Sequence, residues 1–164
     1  MESQQNLSAL LGEALLRHQQ VLATAESCTG GGVSAAITDI AGSSAWFDRA
    51  FITYSNEAKM EMLGVKEETL DAHGAVSEAT VVEMAQGAIR HSRATISVSI
   101  SGIAGPGGGS DEKPVGTVCF AWADDKGWLK VATHCFEGDR SAVRRQAVIK
   151  AQQVLVEKLS VAEQ

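Results

Sequence analysis

The stretch Val21-Leu22-Ala23-Thr24-Ala25-Glu26-Ser27-Cys28-Thr29-Gly30-Gly31-Gly32-Val33 decides the fold, because its character changes twice within a few residues. Residues 21–25 form a short apolar run suited to a buried strand, and residues 26–32 are a polar, glycine-rich turn. Residues 33–40 then read as a helix, until Ala41-Gly42-Ser43-Ser44 breaks it. A strand that runs through a tight turn directly into a helix is the start of a parallel α/β unit.

The flanking sequence extends that unit in both directions. Upstream, Leu7, Leu10, Leu11, Ala14 and Leu15 recur at helical spacing. Downstream, residues 50–54 are predicted as the second strand and residues 56–63 as a helix, and Ser77 can cap a helix running to about His91 with Val81, Met84, Ala85 and Ala88 on one face. Residues 95–100 alternate serine with β-branched side chains, which predicts a third strand leading into the Gly/Pro-rich segment 102–114. Residues 115–123 and 129–136 flank Asp124-Asp125-Lys126-Gly127 as a hairpin, and Asp139 can cap a last helix through Val156. The order αβαβααβββα predicts one three-layer α/β domain over residues 1–164, with a mixed sheet that is parallel first and closed by a hairpin.

Composition narrows the function. A chain of 164 residues with 45% hydrophobic content suits a single core. Its net charge of −6, without a clustered basic footprint, argues against a nucleic-acid partner. It has no long apolar run to span a membrane, and its polar, amphipathic beginning lacks the pattern of a signal peptide, so a cytoplasmic protein is expected. Three cysteines without CxxC spacing suggest neither a disulfide framework nor a zinc site, and Cys28, Cys119 and Cys135 read as small buried hydrophobes. Four scattered histidines without HExxH give no metal site. Trp46, Trp122 and Trp128 are expected to be packing anchors.

Three polar clusters fall at predicted strand ends, where open α/β sheets bind ligands: Glu26-Ser27-Cys28-Thr29-Gly30-Gly31, Tyr54-Ser55-Asn56-Glu57-Ala58-Lys59 and Ser101-Gly102-Ile103-Ala104-Gly105. Glycines after a strand free backbone N–H groups to face an anion or a developing oxyanion. Gly30 to Ala35 also fits GxGxxA, the dinucleotide fingerprint, but the next strand ends Tyr54-Ser55-Asn56 without the acid that would bind a ribose. GxSxG and GxxxxGK[ST] are absent.

A hydroxyl nucleophile needs a base, and with no suitably placed histidine the candidate is a lysine kept neutral by its surroundings. Ser110 with Lys113, Ser55 with Lys59, and Ser27 with Lys59 are the three pairings, and Cys28 is a rival nucleophile. The first has the SxxK spacing, but its glycine and proline neighbours deny it a helical turn; the last requires the fold to join two adjacent strand ends. Arg140 and Arg144 lie four apart on one face of the last helix, either as a solvated basic patch or as a phosphate site.

Taken together, Ala25 to Gly31, Ala41-Gly42-Ser43-Ser44, Tyr54 to Lys59, Gly74-Ala75-Val76-Ser77, Ser101 to Val118 and Gly138-Asp139-Arg140 resemble the CinA C-terminal domain family over nearly the whole chain. The resemblance implies an α/β/α sandwich with a mixed, mostly parallel sheet. The implied activity is hydrolysis of nicotinamide mononucleotide (NMN) to nicotinate mononucleotide and ammonia, without metal or cofactor. With one domain and no molybdopterin-binding-like partner region, the chain is expected to be a stand-alone amidase. Carried over by position, the family's nucleophilic serine falls on Ser27, its lysine on Lys59 and its tyrosine on Tyr54, while a position commonly threonine is here Ser101. Substrate contacts are then expected from Thr29, Gly30, Gly31, Asn56, Ser101, Gly102, Gly105, Arg140 and Arg144, with oxyanion donors among the N–H groups of residues 29–31 or 102–105. A homo-oligomer is left open.

Overall fold

The computed structural model describes residues 2–161. Its elements are α1 (Glu2–Arg17), β1 (Leu22–Glu26), α2 (Gly32–Thr38), β2 (Phe47–Ile52), α3 (Asn56–Leu63), α4 (Glu67–His73), α5 (Glu78–Arg90), β3 (Ile96–Gly102), β4 (Thr117–Asp124), β5 (Leu129–Cys135) and α6 (Arg140–Val161). The sheet order is β2-β1-β3-β4-β5. β1 lies between β2 and β3 with parallel pairings on both sides, and β4 and β5 are joined on by antiparallel pairings. The α/β/α sandwich with a mixed sheet matches the expectation, while its mostly parallel character is met only loosely, since two pairings are parallel and two antiparallel.

Strand alternation sends opposite sets of side chains to the two helical layers. Leu22, Ile96, Val98, Ile100, Val118, Phe120 and Trp122 pack with α1, α2 and α6, whereas Ala23, Ala25, Cys119, Ala121 and Ala123 pack with α3, α4 and α5. The alternating serines of β3 face the second layer. Ser97 and Ser99 donate to the Ala85 and Val81 carbonyls of α5, at 2.8 and 2.5 Å, so each buried hydroxyl is satisfied by helix backbone. At Gly87, α5 comes so close to α3 that a Cβ would enter the van der Waals shell of the Leu63 carbonyl.

Three expectations need correction. The second strand runs from Phe47 to Ile52 rather than 50–54, so Thr53 and Tyr54 lie beyond its end. α4 was not expected, and it ends at His73. Cys135 is exposed, unlike Cys28 and Cys119; it sits on the edge strand β5, where only one sheet neighbour covers it. Trp46 and Trp122 are buried packing residues as expected, and Trp128 lies under the Lys158 ammonium, 4.9 Å from the ring centre. Among the described residues, no helix is long and apolar enough to cross a membrane.

Candidate active site

Ser27 stands where β1 gives way to the turn before α2. Its N–H donates to the Ile100 carbonyl of β3 at 3.0 Å, so the first turn residue is still held by the sheet. The preceding residue, Glu26, is fully buried. Its two carboxylate oxygens accept from Thr29 Oγ1 and the Val33 N–H, and from Thr24 Oγ1 and the Ser34 N–H, at 2.7–3.0 Å. The charge is thus surrounded by donors, two of them backbone groups that the first turn of α2 cannot satisfy internally. From the sequence alone, Glu26 is one polar residue of the turn. An acid placed between a buried strand and a helix start was the available signal.

Lys59 approaches Ser27 from the other side of the sheet end. Ser55 caps α3 by accepting from the Ala58 N–H, which rules it out as a free partner and sets the helix phase that turns Lys59 inward. The Lys59 side chain is 1% exposed, and its Nζ lies 3.0 Å from Ser27 Oγ, 2.8 Å from the Thr53 carbonyl and 3.4 Å from that of Tyr54. Burial is the main cause holding its pKa below the ordinary lysine value. A neutral amine suits these three neighbours: two N–H groups for the carbonyls and a lone pair for the serine hydroxyl. Of the three serine–lysine pairings, the structure brings Ser27 and Lys59 together. Lys113 instead donates its Nζ to the His73 carbonyl, and Ser110 accepts from the Lys113 backbone.

Cys28 is a poor rival. Burial pushes its thiol up to about 11, so at neutral pH it is almost wholly protonated and a weak nucleophile.

These groups form one end of a cleft of about 300 Å³. Ser27, Cys28, Lys59, Tyr54, Ser101, Gly102, Gly105 and Arg140 all line it, as do Ile103 and Ala104 and, from the α4–α5 connection, Ala75 and Val76. Tyr54 is 64% exposed at the mouth. Arg140 Nη2 lies 3.3 Å from the Tyr54 hydroxyl, while its Nη1 donates to the Gly105 carbonyl at 2.8 Å, so one guanidinium spans the mouth. Asp139 caps α6 through the Ala142 N–H, as expected.

Thr29, Gly30, Gly31, Asn56 and Arg144 are not among the lining residues. The Thr29 hydroxyl is engaged by Glu26, and the Gly30 N–H by the Ser27 carbonyl. Asn56 is exposed on the first turn of α3, and Arg144 donates to the Cys28 and Thr29 carbonyls. Thr29, Gly30 and Arg144 are thus each engaged by a nearer backbone or carboxylate partner.

Residues 4–159 match the family described as CinA C-terminal domain. The chain is 62% identical over 149 residues to the nicotinamide-nucleotide amidohydrolase PncC of Escherichia coli K12, covering 91% of this chain and 90% of that one. It is 57% identical over 143 residues to the protein of the same name from Enterobacter agglomerans, with 87% of each chain covered. Among solved structures, it resembles the competence/damage inducible protein CihA of Agrobacterium tumefaciens at a TM-score of 0.92 and 43% identity, over 96% of this chain and 95% of that one.

Proposed function

The chain belongs to the CinA C-terminal domain family, and from that membership and the geometry of its cleft we infer that it is a nicotinamide-nucleotide amidohydrolase, converting NMN to nicotinate mononucleotide and ammonia through an acyl-enzyme on Ser27. The observation that carries the mechanism is the buried Lys59 amine 3.0 Å from the Ser27 hydroxyl on the wall of an open cleft.

Neutral Lys59 takes the Ser27 proton as Oγ attacks the carboxamide carbon. The resulting oxyanion is assigned to the Ala104 and Gly105 N–H groups, which line the cleft, because the Gly30 and Ile103 N–H groups are already committed to the Ser27 and Thr117 carbonyls. Collapse breaks the C–N bond, and the proton on Lys59 passes to the leaving nitrogen by way of Tyr54 at the mouth. Water then adds to the ester and gives a proton to Lys59, which returns it to Ser27 as the carboxylic acid leaves and loses its own proton to solvent. Ser101 supplies a hydroxyl on the cleft wall facing the carboxamide. Arg140, exposed at the mouth, is assigned to the substrate phosphate. The scheme uses side chains and backbone alone, and a cytoplasmic location goes with a charged mononucleotide substrate.

An ammonia-release assay over nicotinamide, its riboside, its mononucleotide and the dinucleotide tests this reading. The mononucleotide should be turned over best, and Ser27→Ala should lose at least roughly a thousandfold in kcat while keeping its fold. A wild-type protein that binds NMN without releasing ammonia would be a nucleotide-binding module instead. Equal turnover of riboside and mononucleotide would remove the phosphate from Arg140.

A further inference from the structure

We propose that Arg144 is a positioning residue that holds the Ser27 turn in its reactive conformation and does not touch the substrate; as a statement about turnover, this rests on the amidohydrolase reading above. Arg144 Nε donates to the Cys28 carbonyl at 3.0 Å and its Nη2 to the Thr29 carbonyl at 3.1 Å. One planar guanidinium therefore fixes two successive peptide units, which a single-point ammonium cannot do.

The second contact reaches the nucleophile. In a trans peptide the C=O and N–H point in opposite directions, so the unit joining Thr29 to Gly30 can be held from both ends. Arg144 holds its carbonyl, and its N–H donates to the Ser27 carbonyl at 3.0 Å. Arg144 thus acts on the Ser27 backbone through one rigid plane. Its own anchor is firm, because Val143, Ala147 and Val148 on the same helix are buried in the core. α6 also lies tight against the turn: a Cβ on Gly32 would stand 2.9 Å from Val148 Cγ2, and one on Gly30 would stand 3.3 Å from Arg144 Nη2. From inside, the Glu26 carboxylate holds the Thr29 hydroxyl at 2.7 Å. The turn is gripped by a carboxylate on one side and a guanidinium on the other, and the guanidinium is not among the groups lining the cleft.

The test compares wild type, Arg144→Met and Arg144→Lys by steady-state kinetics on NMN and on the riboside, with folding checked by thermal melting. Arg144→Met keeps much of the unbranched stem but no donor. It should lower kcat by about 10- to 100-fold on both substrates, with little change in KM and the same preference for the phosphate. Arg144→Lys should recover part of that loss, and if the Met variant fails to fold, the Lys variant carries the comparison. A raised KM for NMN alone, with kcat kept and the preference over riboside lost, would make Arg144 a phosphate ligand and overturn the proposal. Unchanged kinetics in both variants would overturn it as well.

A second readout does not depend on the amide substrate. A fluorophosphonate probe forms a bond from Ser27 Oγ to phosphorus and expels fluoride, with the serine proton passing to Lys59. Labelling of Ser27 should slow by a similar factor in Arg144→Met. If wild type releases no ammonia from NMN but labelling still slows in the variant, the substrate reading fails while the positioning role stands. If labelling is equally fast in both, the positioning role fails.

Discussion

The two faces of the sheet come from the same strands but are made of different materials. Towards α1, α2 and α6, β3 and β4 present Ile96, Val98, Ile100, Val118, Phe120 and Trp122; towards α3, α4 and α5, they present Ser97, Ser99, Cys119, Ala121 and Ala123. Large side chains bury the most apolar area and dominate stability. Small ones let helices approach until backbone touches backbone, as α5 does to α3 at Gly87. Lys59 enters from that close-packed side, where short side chains leave room for its amine beside the strand ends. The largest apolar side chains and the Lys59 amine thus lie on opposite faces of one sheet.

The largest effect should come from Lys59→Met, which replaces the buried amine with an apolar chain of similar length. Turnover of NMN should fall by roughly a thousandfold or more. The fold should be kept or strengthened, because an amine held below its ordinary pKa by burial is one the folded state disfavours in its charged form. Between that lowered value and the ordinary ~10.4, the folded wild type binds fewer protons than the unfolded chain, so its stability rises with pH and the advantage of the Met variant shrinks. Wild-type activity should rise with pH through the same lowered value. A Met variant that melts well below wild type at pH 7 would mean that Lys59 also holds the fold together.

On the opposite face, Trp122→Ala should do the reverse. Trp122 is fully buried, stacks on Phe120 with ring centres 5.4 Å apart, and donates Nε1 to the Ala151 carbonyl at 3.0 Å. Its loss should cost about 3–5 kcal/mol in denaturant unfolding, while kcat per folded molecule stays near wild type. A large fall in kcat among the remaining folded molecules would break the division between faces.

Gly87→Ala sharpens the comparison and should have the smallest effect. Within a helix, this change ordinarily gains up to ~1 kcal/mol. Here the new methyl meets the Leu63 carbonyl, which is backbone and yields only if α3 moves, so overpacking at about 1–3 kcal/mol should win. Because α3 carries Lys59, kcat should fall by about tenfold along with the melting temperature. Lost stability with kcat unchanged would show that the Ser27–Lys59 distance tolerates the shift.

Legibility followed the locality of the signal. The limits of α3 were readable because Ser55 caps it from within the local sequence. α4 was not readable: its first turn is tied down by Glu83, which accepts from the Lys66 N–H and Thr69 Oγ1, and Leu70 is its one buried residue. β2 was placed too late because the edge position of Asp48 and Arg49 breaks the apolar run that marks a buried strand. In the site, residue types and strand-end positions were visible, but the choice among three serine–lysine pairings came from resemblance, since proximity between Ser27 and Lys59 depends on sheet order. Arg144 was grouped with Arg140 because both lie on one helix face. Nothing in that spacing told which would meet backbone carbonyls and which the cleft mouth.

The buried Glu26 also explains why a turn with the dinucleotide fingerprint belongs to an amidohydrolase. In a nucleotide-binding fold, the glycine turn and the helix behind it point N–H groups at a phosphate supplied by the ligand. Here the Val33 and Ser34 N–H groups, with the hydroxyls of Thr24 and Thr29, already enclose an oxyanion that the chain carries itself. The turn is closed around a carboxylate of its own. A substrate phosphate has no place there and must be received elsewhere, which leaves the outer side of the same turn to present a serine.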